Sequence, residues 1–165
     1  MKNLFFLIMI ACMGFLSCRS DEVSVQKIDQ IINLYIDSLG QDMLNSKIPG
    51  SYTTIFINDV YGLTDNAPVT FALKKDVDTI NFIEYLAGAK RIGIDSTENS
   101  KTYESKVALS LTKKINDSTS RVSNDTMTIQ YQSTAQLFQV SKIWYNGLLQ
   151  FEKVEGLPNT VKIVK

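Results

Sequence analysis

The chain has 165 residues, with 17 Lys+Arg against 17 Asp+Glu. That is room for one domain plus a targeting segment, and the balanced charge supplies no field to draw in nucleic acid. Hydrophobic residues at 44% and charged residues at 21% are globular values and exclude disorder throughout. Histidine is absent, which removes the commonest general base, the commonest zinc ligand and every Ser-His or Cys-His pair.

Lys2 precedes an apolar run from Leu4 to Leu16. The run is too short to span a hydrocarbon core of roughly 30 Å and suits a signal h-region. It ends at Phe15-Leu16-Ser17-Cys18. This resembles a bacterial lipobox, in which a small residue precedes a cysteine that is lipidated and becomes the mature N-terminus. The resemblance implies a signal peptide over 1–17, lipid on Cys18 and attachment to the outer membrane of a Gram-negative envelope, at its periplasmic face or at the cell surface. Cys12, inside the run, is the only other cysteine, so the mature chain has no disulfide framework and no thiol metal site. Residues 18–24 read as an acidic tether with Asp21 and Glu22, similar to a short export signal for surface lipoproteins. Several acyl chains anchor stably where one is marginal.

Residues 25–165 read as a single α+β domain. Ile28, Ile31, Ile32, Tyr35, Ile36 and Leu39 have the spacing of one helix face, with Ser24 as N-cap and Gly40 as stop. The period then changes to two. Thr53–Ile57 and Val69, Phe71 and Leu73 read as strands. Asp78 or Thr79 caps a short helix through Ile80, Ile83, Leu86 and Ala87, and Arg91–Ile94 reads as a short strand. Val107, Leu109 and Leu111 share a face, as do Met127, Ile129 and Tyr131, with 116–124 as a long exposed loop between them. Asn146-Gly147 between two strand-like runs is a type I′ hairpin signal. Val161 and Ile163 close the chain as a last strand. The expected architecture is therefore two helices on a mostly antiparallel meander sheet, and the order of elements resembles cystatin-like and nuclear-transport-factor-like folds.

The chemistry is thin. Ser110-Leu111-Thr112-Lys113 matches the Ser-x-x-Lys of serine β-lactamases and penicillin-binding proteins, but the pair needs a helix to share a face and here lies in an alternating strand. Ser24-Val25-Gln26-Lys27 is a second match, which shows how cheap the pattern is. Asp59, Asp65, Asp76, Asp78 and Glu84 are irregularly spaced beside turn signals, where acids bond the backbone. No metal or cofactor is expected. Trp144 and Tyr145 adjoin the Asn146-Gly147 tip. Strand alternation sends one to the core and the other outward, where an aromatic ring suits sugar or protein binding; the core is expected to take Trp144.

Five of the eleven aspartates precede Ser or Thr and then an apolar residue or Thr, at Ser38, Thr79, Ser96, Ser118 and Thr126. This resembles a bacterial O-glycosylation sequon. Ser96, Ser118 and Thr126 lie in the segments expected to be loops and are the candidates; Ser38 and Thr79 fall at the expected helices. Two functions follow as expectations. One is a non-catalytic envelope module held to the membrane through Cys18 that binds a protein or glycan, an immunity protein being one version. The other is a small hydrolase using carboxylates.

Overall fold

A computed structural model describes residues 25–116 and 118–165. Cys18, the signal segment and the tether lie outside the described residues, as does the expected cap Ser24. The described chain is 62% strand and 0% helix, which overturns the α+β expectation. The cystatin-like and nuclear-transport-factor-like resemblance goes with it, since both need the long helix.

Twelve strands follow in order: β1 Lys27–Asp29, β2 Ile32–Ser38, β3 Gln41–Asp42, β4 Tyr52–Asp59, β5 Phe71–Lys75, β6 Asn81–Tyr85, β7 Ile92–Ser96, β8 Lys101–Asn116, β9 Thr119–Ser133, β10 Leu137–Tyr145, β11 Leu148–Glu152 and β12 Asn159–Val164. One curled sheet has the order β1-β10-β9-β8-β4, with β11 also on β10 and β7 also on β8. The other runs β12-β2-β6-β5, with β3 on β2. Two pairings are parallel, β1 with β10 and β12 with β2, so the meander expectation fails at both chain ends.

The expected first helix is β1 and β2. Positions four apart share a face in a helix and in a strand alike, so Ile32 and Ile36 fit either period. Leu34 separates them. The helix places it away from the Ile32–Ile36 stripe, whereas the structure buries Ile32, Leu34 and Ile36 together and leaves Leu39 fully exposed. Isoleucines at 28, 31, 32 and 36 also favour a pleated surface over a helix. The expected second helix is β6, a central strand flanked by β2 and β5. Phe82, Ile83 and Tyr85 are all buried, and a strand buried on both faces loses the period-two signal. Neither Asp78 nor Thr79 caps a helix; the side chain that organises this turn is Asp76. Its Oδ1 accepts from the N–H groups of Asp78 (3.0 Å) and Ile80 (2.9 Å), closing the β5–β6 turn with Thr79 at φ 65°.

The expected long loop at 116–124 is strand as well. β8 and β9 pair from Lys101↔Ser133 to Asn116↔Thr119, so the polar segment is a hairpin arm. Asn146 and Gly147 take φ of 49° and 81°, as a type I′ turn requires. The inward faces Val107-Leu109-Leu111 and Met127-Ile129-Tyr131 meet Ile32, Leu34, Ile83, Val161 and Ile163 in one core shared by both sheets.

Candidate functional site

At one end of the core the hairpin arm leaves the apolar interior, and its inward face becomes cationic. Leu111 is buried; two residues on, the same face carries Lys113, with Arg121 directly opposite on β9 and Tyr52 opposite on β4. The end of β12 brings Lys165 to the same place through Lys165 N–H to the Asp37 carbonyl, 2.8 Å. Tyr52, Lys113, Arg121, Ser123 and Lys165 line a cavity of about 200 Å³.

The charges are unevenly matched. Lys165 Nζ donates to Asp125, which also accepts from Asn146 Nδ2 at 2.8 Å. Burial opposes the Asp125 charge, but hydrogen bonds from Lys165 and Asn146, with the Lys165 charge, overcome it and hold the carboxyl below its ordinary range. Among the described residues, no acid lies within ion-pair reach of Lys113 or Arg121. Burial, and next the Asp125 charge, raise the Tyr52 phenol against the opposing pull of Arg121, so its hydroxyl stays protonated. The Tyr145 hydroxyl is buried beside Asp125, and burial first, then the Asp125 charge, raises its pKa.

The remaining acids are engaged elsewhere. Asp59, 7% exposed, accepts from Tyr61 N–H at 2.9 Å and Lys90 N–H at 2.7 Å. Asp42 accepts from Leu44 N–H and from both the N–H and Nδ2 of Asn81. Glu84 pairs with Lys74 at 2.6 Å, and Asp65 is exposed on the loop after β4. Among the described residues no group of three or more acids or cysteines is placed to hold a metal. Ser110 Oγ donates to Asn124 Oδ1 at 2.8 Å, and strand alternation puts Ser110 and Lys113 on opposite faces.

Of the aromatic pair, Tyr145 is the core residue and Trp144 is half-buried on the outer face, the reverse of the expected assignment. A surface built on that pair therefore reduces to Trp144. Ser96 is exposed on edge strand β7 and Ser118 is exposed in the β8–β9 turn. Thr126 is in no loop: it lies half-buried in β9, its N–H donating to Asn146 Oδ1 at 2.8 Å. Ser38 ends β2 and donates to the Lys165 carbonyl.

Reading 116–124 as a loop removes Arg121 from any register, so the cationic pocket is not legible in the sequence. Pairing outward from Asn116↔Thr119 without a bulge would set Arg121 against Lys114; the register shift between Lys114 and Asn116 brings it to Lys113. Comparison of the chain with family models, with curated proteins and with solved structures gives no match in any of the three.

Proposed function

We propose that this protein is a non-catalytic binding module, held to the outer membrane through lipid on Cys18, whose strand domain receives part of a protein or glycan partner. One observation carries the reading. The two buried carboxylates, Asp59 and Asp125, and the half-buried Asp42 each hold fixed backbone or side-chain partners, while the cavity presents cations and hydroxyls. A carboxylate hydrolase needs two acids facing one substrate bond; the pocket offers donors and no free base.

The geometry also suits display. Lys27 pairs with Leu137 at the start of β10, whereas the pocket lies beside Tyr145 at its end, roughly 26 Å along the strand at ~3.3 Å per residue. An anchor preceding Lys27 would leave the pocket end pointing away from the bilayer.

Two measurements test this. Cys18→Ser is expected to move the protein from the detergent phase to the aqueous phase; equal partitioning of variant and wild type removes the anchor. A panel of glycoside, ester and phosphoester substrates is expected to show no turnover, and turnover abolished by Asp125→Asn or Asp59→Asn would establish the hydrolase instead.

A further inference from the structure

We infer that the cavity between Tyr52, Lys113, Arg121, Ser123 and Lys165 is a binding site for a phosphate monoester. This rests on the binding-module reading and names the chemistry of its ligand.

The donor set comes first. The Arg121 guanidinium offers a fork of N–H groups, the Lys113 ammonium three more, and the Tyr52 hydroxyl can add one, while the Ser123 hydroxyl donates to Asp125 Oδ2 at 3.4 Å. A tetrahedral phosphate, with several oxygens and close to two negative charges, can satisfy such a set, and Arg is the residue suited to bidentate contact with it.

Lys113 and Arg121 are direct cross-strand partners on one face, and like charges directly opposite are destabilising. An acid beside either side chain would offset that repulsion. Here neither partner has one among the described residues. A bound dianion converts that repulsion into two attractions.

Size and rigidity agree. The cavity of about 200 Å³ is below the ~300–1,000 Å³ of pockets that enclose drug-sized ligands, so it fits a phosphate and the first atoms of its ester. Tyr52, Lys113, Arg121 and Ser123 sit on three hydrogen-bonded strands, β4, β8 and β9, and Asp125 fixes Lys165 at the pocket wall. Binding therefore orders little that is not already ordered.

The test is calorimetric titration of the full chain in detergent at low salt, with inorganic phosphate and a hexose 6-phosphate as soluble probes. Flotation with phosphatidylcholine vesicles, with and without phosphatidic acid, supplies the lipid source. We expect saturable one-site binding, weakened tenfold or more by Arg121→Gln and by Lys113→Gln, and partly retained in Arg121→Lys, which keeps the charge and loses the fork. Arg121 is exposed, so an unchanged circular dichroism spectrum is expected for its variants. Tighter binding of the hexose ester marks a soluble or glycan-borne phosphate; binding confined to phosphatidic acid vesicles marks a headgroup. No binding to any probe, or equal binding by Arg121→Gln and wild type, overturns the assignment and leaves the non-catalytic reading intact. Hydrolysis of the hexose 6-phosphate would do the opposite, removing that reading while keeping the site.

Discussion

Leu34 and Leu39 separate a strand from a helix over residues 25–39 with two substitutions. Leu34 is 1% exposed, in register with Val161 of β12 on one side and Ile83 of β6 on the other. Truncating a buried Leu to Ala costs about 2–5 kcal/mol, depending on how far the site collapses. With paired strands on both sides, β2 has little room to move, so Leu34→Ala is placed in the upper half, about 3–4 kcal/mol. For a chain of this length that lowers Tm by about 6–16 °C. Leu39 is 100% exposed, at φ 52° in the β2–β3 turn with Gly40 at φ 78°. Leu39→Ala should change stability by less than about 0.5 kcal/mol. Leu39→Asn should raise it by a few tenths to about 1 kcal/mol, because Asn tolerates the left-handed conformation that a bulky residue resists. Urea denaturation followed by the fluorescence of the single Trp144 reads all three. A helix over 25–39 would make Leu39→Ala costly and Leu34→Ala nearly silent, and that result refutes the strand assignment.

Three further outcomes follow from other parts of the molecule. Lys153 places its ammonium on Asp29 Oδ2 (2.6 Å), the Leu157 carbonyl (2.7 Å) and Asn159 Oδ1 (2.9 Å), and Asn159 returns a bond to Asp29 Oδ1 (2.9 Å). The Lys153 side chain is 8% exposed and Asp29 32%, so Lys153→Met should cost about 2–3 kcal/mol, below the 3–5 of a fully buried broken pair; a chemical-denaturation difference under about 0.5 kcal/mol would show the seam between β1 and β12 to be held otherwise. The Tyr61 hydroxyl donates to Glu104 at 2.7 Å, and that bond, with lesser help from burial, pushes its pKa up to about 12. The native state thus retains a proton that the unfolded chain releases near 10, so the stabilisation is complete below pH 10 and disappears as pH rises toward 12; absorbance at 295 nm should lose one transition near pH 12 in Tyr61→Phe, and loss of one near pH 10 instead would contradict the bond. Intact mass from the native host should show glycan at Ser96 or Ser118, which are exposed, and none at Ser38, whose hydroxyl donates to the Lys165 carbonyl; glycan mapped to Ser38 would contradict that placement.

What the sequence discloses here depends on how many positions distinguish two periods. The Val107-Leu109-Leu111 and Met127-Ile129-Tyr131 runs alternate over three inward positions each, and all six side chains are buried as alternation requires. Asn146-Gly147 is legible because positive φ at both residues restricts the choice of residue. Over 28–39 the apolar positions fit 3.6 and 2 nearly equally, and the decision rested on Leu34. Over 81–85 the strand is sheltered on both faces, so no polar alternation is left to read. The polar arms at 112–116 and 119–124 carry only Ile115 and Val122 as apolar residues, both exposed, and their pairing is dictated by the buried half of the same hairpin. The cationic pocket inherits that concealment, since Tyr52, Lys113, Arg121 and Lys165 come together only once both the arm and the parallel β12–β2 pair exist.

The central claim is that the donor-lined pocket holds an anionic ester without transforming it. ³¹P NMR of the full chain mixed with a hexose 6-phosphate addresses both halves in one experiment. The account predicts that the ester resonance shifts and broadens with protein, recovers its free position with Arg121→Gln, and yields no inorganic phosphate over days. Release of inorganic phosphate in proportion to the wild-type protein would contradict the non-catalytic claim, and an ester resonance unaffected by the protein would contradict the pocket.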